Sequence, residues 1–215
     1  MRPRVVVYNA VSVDGRITGF EADLEEYYGV AMEWPTDVVL IGSNTLLLSD
    51  HGFGKEDRPP RSRKKKEGVL AVIPDSHGRV KNIKMLRDVP YWGEVIILCS
   101  RFTPKEHLEY LEKRKVEYLV CGEKHVDMKV ALEWLAAEHG VRNVRADSGG
   151  TLNGVLFEND LVDEVHIMVH PEVVGGTTHG SMFRAGNDMD GKIRLDLKKV
   201  ERKKDLVLLS YEVKR

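Results

Sequence analysis

The residues best suited to chemistry form a short run of small and polar side chains, Ala146 to Gly154 (ADSGGTLNG). A strand-like apolar stretch ends at Asp147, the pair Gly149–Gly150 follows, and helical spacing of apolar residues begins at Leu152. Glycines let backbone N–H groups approach a ligand, and a helix N-terminus adds unpaired donors and a positive dipole end. The pattern suits a phosphate or pyrophosphate. A tight strand–helix turn without a ligand is the alternative.

A second candidate segment is Asn9 to Ile17 (NAVSVDGRI), where an apolar strand turns polar at its end. The alternation of a strand places Asn9 on one face and Ser12 and Asp14 on the other. Polar side chains on a buried strand need partners, and a ligand is one such partner. A simple turn at Asp14–Gly15 is the other interpretation.

Two more strand ends carry small or polar residues, at Gly42 to Thr45 and at Pro74 to Arg79. Ser43 or Asn44 could simply cap a short helix, and the second segment could be only a turn. Ligands in α/β proteins bind outside strand ends, so four such ends together favour a binding site. Neither G-x-G-x-x-G nor a P-loop is present.

The elements that must position these residues alternate between strands and helices. Apolar runs predict strands at Val5–Val11, Asp37–Ser43, Val69–Ile73, Val95–Cys99, Tyr118–Cys121, Val141–Asp147 and Val165–Val169. Helices are predicted after a capping box at Thr103–Glu106, from Asp127 to Gly140, and from Leu152 to about Asn159. The C-terminus predicts a hairpin of Arg194–Glu201 and Leu206–Lys214. This order indicates one α/β domain over residues 1–215 with a mixed sheet.

Composition narrows the class of protein. The 215 residues are 42% hydrophobic and 31% charged, with a net charge of −1, which argues against a globally basic nucleic-acid-binding surface. Only two cysteines occur, so we expect reduced thiols. No run is long enough to span a membrane, and the N-terminus lacks the unbroken apolar stretch of a signal peptide. The expected location is the cytoplasm, with no membrane partner.

These blocks, in this order, resemble the reductase of riboflavin biosynthesis, known as the C-terminal half of bifunctional deaminase–reductases and as a stand-alone enzyme. The resemblance rests on Asn9–Ile17, Asp37–Thr45, Asp75–Arg79, Asp147–Asn153 and Leu161–Val165, followed by Pro171 to Gly176. It implies a dihydrofolate-reductase-like three-layer α/β/α fold with a mostly parallel sheet and a C-terminal antiparallel hairpin. It also implies NADPH as cofactor, a phosphorylated small-molecule substrate and a homodimer.

The resemblance also implies roles for individual residues. The cofactor would contact Thr45, Ser76, Gly149, Gly150, Thr151 and Leu152. Asn9, Ser12 and Asp14 would line the floor of the pocket, and Asp147 would approach the substrate. Hydride would pass to the sugar C1′ of an imine while a proton reaches nitrogen. An acidic group is expected to stabilise the cationic imine, and Asp147 is the first choice for this role, with Asp14 as the second.

This chain departs from the family pattern at two places. The family often has an aspartate four residues after the threonine, where this chain has Ser49 followed by Asp50. A family arginine that helps hold the substrate phosphate is replaced by the segment from His51 onward, and Arg58, Arg61 or Arg63 could substitute for it. A same-fold reductase of another heterocycle, such as a pterin, is therefore an alternative.

The last alternative is a non-enzymatic module that binds RNA or anions through Arg58 to Lys66, where six of nine residues are basic. No aromatic residues interrupt this loop for base stacking, which favours a solvated loop and no nucleic-acid partner. We predict no metal site, because His166 and His170 lie in a strand, roughly 13 Å apart. The zinc signature of the companion deaminase is absent.

Overall fold

A computed structural model of the chain describes residues 1–48, 68–176, 180–185 and 193–214. These residues contain the following strands and helices: β1 (Arg4–Ser12), α1 (Leu24–Met32), β2 (Val38–Leu40), α2 (Ser43–Leu48), β3 (Val69–Pro74), α3 (Ile83–Asp88), β4 (Trp92–Cys99), α4 (Lys105–Lys113), β5 (Glu117–Val120), α5 (Met128–His139), β6 (Asn143–Ala146), α6 (Gly150–Glu158), β7 (Glu164–His170), β8 (Leu195–Lys203) and β9 (Leu206–Val213).

The chain divides into two compact units, the first made of Met1–Pro3 and Asp37–Val144 and the second of Arg4–Thr36 and Arg145–Arg215. One domain over residues 1–215 remains a prediction from the sequence.

The first unit contains a parallel sheet in the order β5-β4-β3-β2. Its strands are continuous apolar runs, as expected of parallel strands covered on both faces. Ile73, Ile97 and Leu111 have no exposed surface and lie in one apolar cluster with α3 and α4. Asp127 is the N-cap of α5, and its side chain accepts from the amides of Lys129 and Val130. Gly140, where φ is +65°, is the C-cap of the helix.

The second unit contains strands in the order β6-β1-β7-β9-β8. β1 and β7 are parallel with Ser12 opposite His170, so both carboxyl ends lie at one edge of the sheet. β9 is antiparallel to both of its neighbours, β7 and β8. Tyr8 and Tyr27 belong to the apolar cluster that packs α1 against this sheet.

The predicted α/β class is confirmed, as are the mostly parallel sheet and the C-terminal antiparallel hairpin. The predicted strands match observed strands within a few residues. Cys99 and Cys121 are buried free thiols, as expected, and burial raises the pKa of both.

The predicted capping box of α4 is wrong. The helix begins at Lys105, its N-cap is Pro104, and no side chain caps it. Thr103 lies one residue too early and serves the preceding loop: its hydroxyl donates to the carbonyl of Ser76 at 3.0 Å and accepts from the amide of Ser100 at 3.0 Å. Helices α1 and α3 were not predicted from the sequence, and α1 supplies a residue of the candidate site.

Candidate active site

A hydrogen-bonded framework joins β1 to the loop that follows β6. The Asn9 side-chain amide donates to the carbonyl of Ser148 at 2.8 Å, and its oxygen accepts from Asn153 at 2.8 Å. Asn153, which is completely buried on α6, also donates to the carbonyl of Met182 at 3.0 Å. The two segments that the sequence singled out, around Asn9 and around Ser148, therefore lie side by side in the second unit.

Asp147 follows β6 directly and contacts α1. The Tyr27 hydroxyl lies 2.9 Å from Oδ1 of Asp147 and 3.0 Å from the carbonyl oxygen of Tyr8. The rings of Tyr8 and Tyr27 stack with centroids 4.2 Å apart and planes only 4° from parallel. Because both rings are buried, this stack fixes the position at which the Tyr27 hydroxyl contacts Asp147.

The local sequence explains how α1 presents Tyr27. Asp23 caps the helix by accepting from the amide of Glu26 at 3.0 Å. The amide of Asp23 in turn donates to Nε2 of His170, at 3.0 Å, at the end of β7. The helix start is thus tied to the sheet edge where β1 and β7 end, and Tyr27, one turn later, points back toward β6.

Burial raises the pKa of Asp147 above its usual range, while Arg145 and the Tyr27 hydroxyl act in the opposite direction. Protein atoms crowd around the carboxyl group, although part of the residue remains exposed. Arg145 is buried, and its Nη1 donates to the carbonyl of Ala31, at 2.9 Å, near the end of α1. The site thus contains a carboxyl group whose proton is retained to a higher pH than that of a solvated aspartate.

Asp14 has the opposite environment. Its Oδ1 accepts from the Ser12 hydroxyl at 2.6 Å and from the amide of Val174 at 3.0 Å, and its Oδ2 accepts from the amide of Gly175 at 2.8 Å. These hydrogen bonds, led by the one from Ser12, hold the pKa of Asp14 well below its usual range. Such a carboxylate stays ionised and holds the segment after β7 in place, so it is poorly suited to donate a proton.

In the turn at Gly149–Gly150, the packing of the protein explains why residue 150 is a glycine. A Cβ on Gly150 would overlap the carbonyl oxygen of Ser181, and the Gly150 carbonyl accepts from the amide of Arg184 at 2.9 Å. Gly150 thus permits close packing of the chain around residues 181–184. Close approach of a ligand is not needed to explain it.

The same turn still offers backbone donors. Gly149 is the N-cap of α6 and no side chain caps the helix. The amides of Gly150, Thr151 and Leu152 precede the first intrahelical hydrogen bond, which the amide of Asn153 makes to the carbonyl of Gly149. Thr151 is exposed, whereas the Leu152 side chain is buried, so Leu152 can contribute only its backbone.

Two predicted cofactor residues belong to the first unit. Thr45 is exposed on α2, where its amide donates to the carbonyl of Gly42 at 3.0 Å. The Ser76 hydroxyl oxygen accepts from the amide of Val126 at 3.0 Å, so this oxygen already stabilises a loop of its own unit. Their contacts with the cofactor stay predictions.

The second unit contains the predicted residues Asn9, Ser12, Asp14, Asp147, Gly149, Gly150, Thr151 and Leu152. There Asn9 bonds to Ser148, whereas Asp14 bonds to Ser12 and to the amides of Val174 and Gly175. Ser49, Asp50, Arg58 and Arg61 lie outside the described residues. Sequence reasoning missed Tyr27 and Arg145, and it assigned no role to Asn153, although this residue lies in the run Ala146 to Gly154. The signal for Tyr27 was available: Asp23 followed by Glu25 and Glu26 is the start of a helix, with acidic residues in its first turn.

Within the described residues, none of the helices is long and apolar enough to cross a membrane. The same part of the chain contains no group of three or more His, Cys, Asp or Glu side chains placed to hold a metal ion.

The family model described as "RibD C-terminal domain" matches residues 3–209. A 2,5-diamino-6-ribosylamino-4(3H)-pyrimidinone 5′-phosphate reductase of Archaeoglobus fulgidus is 31% identical over 82% of this chain and 84% of its own. The enzyme of the same name from Methanothermobacter thermautotrophicus is 29% identical over the full length of both. Among solved structures, RibD of Acinetobacter baumannii superposes with a TM-score of 0.72 at 19% identity, covering 99% of this chain and 58% of that one.

The match over nearly the whole chain defines an α/β reductase-type domain, and the solved RibD structure has the same fold. This chain belongs to the RibD C-terminal domain family. It spans little more than half of the Acinetobacter RibD chain, whereas it covers most of the archaeal reductases.

Proposed function

We propose that this chain is an NADPH-dependent reductase of riboflavin biosynthesis, acting on 2,5-diamino-6-ribosylamino-4(3H)-pyrimidinone 5′-phosphate. The ring-opened ribosylamine, an imine, becomes a ribitylamine when hydride reaches C1′ and a proton reaches nitrogen. The names of the archaeal relatives support the substrate. The observation that carries the proposal is the position of Asp147. Its carboxyl group has a raised pKa, and the residue is partly exposed beside the framework formed by Asn9 and Ser148.

The chain's own residues fit the dinucleotide at one end. The amides at the start of α6 form a donor group with a positive dipole, which suits a pyrophosphate or phosphate. Thr151 adds an exposed hydroxyl next to them. NADPH, when bound, would supply the hydride, and the protein would orient donor and acceptor.

The polar residues at the end of β1 serve as supports in this proposal. Asn9 holds the loop that carries Asp147 through the Ser148 carbonyl. Ser12 and Asp14 hold the residues after β7 and so shape the floor of the pocket. Asp147 is then the acidic group that faces the reacting imine.

The direct test follows nicotinamide absorbance when the purified chain is mixed with NADPH and the named pyrimidine phosphate. We expect absorbance loss, a product heavier by two hydrogen atoms, and deuterium at C1′ when the transferred hydrogen of NADPH is replaced by deuterium. Parallel reactions with NADH and with an oxidised pterin separate the alternatives. Turnover of the pterin alone would contradict the proposed substrate.

Substituting Asp147 tests its role. Asp147→Asn should lower kcat by about 10²- to 10⁴-fold, the usual contribution of a positioned acid. NADPH binding, measured by nicotinamide fluorescence, should remain. Asp160→Asn is a matched control, since Asp160 is exposed and has a φ of +54° that asparagine tolerates well. Full turnover by Asp147→Asn with NADPH still bound would remove Asp147 from the mechanism.

A further inference from the structure

The hydroxyl group of Tyr27 has one hydrogen and two oxygen neighbours at hydrogen-bonding distance. Tyr8 contributes a backbone carbonyl, 3.0 Å away, which can only accept. Asp147 contributes Oδ1, 2.9 Å away, which accepts when ionised and can donate when protonated. If Asp147 were ionised, two acceptors would compete for a single hydrogen. If Asp147 carries a proton, it can donate to Tyr27 while Tyr27 donates to Tyr8, and every partner is satisfied.

The surroundings of the pair agree with the protonated arrangement. Tyr8 and Tyr27 are 0% and 5% exposed, so water does not readily supply a missing donor. Of the charged groups around Asp147, Arg145 on β6 favours the ionised form, but its Nη1 is bonded to the carbonyl of Ala31. Glu26 and Glu33 act on the neighbouring Tyr8 in the opposite sense to Arg145. Burial is the largest influence on Asp147 and raises its pKa.

We propose that Tyr27 is a positioning residue for Asp147, which burial keeps protonated in the resting protein, and that the Tyr27 hydroxyl stabilises the carboxylate formed when that proton is donated. This inference rests on the proposed reduction of an imine. The substrate nitrogen takes the proton from Asp147, leaving a carboxylate beside an iminium cation. NADPH, when bound, would supply the hydride that adds to C1′, so that the products are the amine and NADP⁺. Water then returns a proton to Asp147, so the sum is imine, NADPH and one proton to amine and NADP⁺.

Tyr27 supports both states through rotation of one hydroxyl. Before transfer its hydrogen points to the Tyr8 carbonyl, and after transfer it turns to Oδ1 of Asp147. The oxygen itself need not move, because the stack of the two tyrosine rings holds it between both partners. A carboxylate that gains a hydrogen-bond donor as it forms is stabilised, and this favours transfer of the proton to the substrate.

The protonation state can be measured without any substrate. Carbon NMR of protein labelled at the aspartate carboxyl carbon reports each carboxyl group, and loss of one signal in Asp147→Asn assigns Asp147. We expect the Asp147 signal to stay at the protonated position through the range in which ordinary aspartates, with pKa near about 4, are ionised. An Asp147 signal already ionised at pH 6 would overturn the inference, whatever the enzyme assay gives.

The variant Tyr27→Phe keeps the ring stack and removes the hydroxyl. The Asp147 carboxylate loses its hydrogen-bond donor, so its NMR signal should titrate at higher pH. The alkaline limb of the pH profile of kcat should shift to higher pH for the same reason. At the plateau kcat should fall about ten- to a hundredfold with little change in KM, the loss expected for a hydrogen bond to a charged group. A purely structural role would lower thermal stability and leave the limb in place, which would contradict the proposal.

Tyr118→Phe is the matched control, because Tyr118 also donates to a carboxylate, Oε1 of Glu112 at 2.8 Å, but on the exposed surface of the first unit. It should leave the Asp147 signal and kcat unchanged. If the wild-type chain does not reduce the pyrimidine phosphate, the proposed function fails while the NMR titration still decides the resting state of Asp147. If Tyr27→Phe does not fold, the wild-type titration alone decides it.

Discussion

Two aspartates at strand ends of the same unit show how environment assigns different tasks to one side chain. Asp14 accepts three hydrogen bonds and has a lowered pKa, whereas Asp147 is crowded by protein and has a raised one. Titratable groups with pKa values pushed apart often divide between proton donor and fixed charge. Both residues were candidates from the sequence, because aspartate at a strand end is visible there. The difference between their pKa values was not visible, since it depends on the burial of Asp147 and on the amides of Val174 and Gly175.

At the residue scale, Asp14→Asn should loosen the segment after β7. An asparagine can still accept at one oxygen, but its NH2 group cannot accept from the amide of Gly175. Hydrogen exchange at Gly175 should therefore accelerate, measured by mass spectrometry or NMR. Equal exchange in both proteins would mean that the carboxylate does not hold this segment.

At the element scale, sequence periodicity predicted the strands well because parallel strands here are continuous apolar runs. Helix α5 was predictable from Asp127 and Gly140, which act locally. Helix α1 was missed because Gly29 and the exposed Leu24 and Met32 weaken its pattern, and its stability comes from packing Tyr27 and Val30 on the sheet. The missing helix removed Tyr27 from the predicted site.

Glycine substitutions test the packing of α6. Gly150→Ala should lower the free energy of unfolding by about 1–3 kcal/mol, because the new Cβ meets the backbone of Ser181. Gly29→Ala is the matched control: it lies in α1 with nothing within 4 Å of a Cβ, so it should stabilise the protein by up to about 1 kcal/mol. Urea denaturation measures both. Two equal effects would show that the space around Gly150 can relax.

At the scale of the whole molecule, buried histidines make stability depend on pH. His166 lies between Ser210, at 2.9 Å, and Glu164, at 3.0 Å, and burial lowers its pKa despite the carboxylate. Burial also lowers the pKa of His107, in the first unit, although Asp75 opposes it. Because the folded pKa is the lower one, the unfolded chain binds the proton first. Both contributions are fully present above the unfolded pKa of about 6.5 and are lost as the pH falls.

We therefore expect thermal stability to decline between neutral pH and the acidic range, and His166→Gln to reduce that decline. Differential scanning calorimetry across pH, at constant ionic strength, provides the measurement. An identical pH dependence in wild type and variant would show that His166 does not contribute. The Asp14 carboxylate adds a further loss only at more acidic pH, below its ordinary pKa of about 3.9, because its folded pKa is depressed.

The second unit is built from two stretches of chain, and most of the first unit lies between them in the sequence. Asn9 and Ser148, which are hydrogen-bonded, are 139 residues apart in the chain. During synthesis, the apolar strand β1 leaves the ribosome long before its neighbour β7 has been translated. The candidate site can thus assemble only late, after residues 37–144 have already emerged. Nascent chains halted before β6 should expose the apolar strand β1 without either neighbouring strand, which makes them expected substrates of a chaperone.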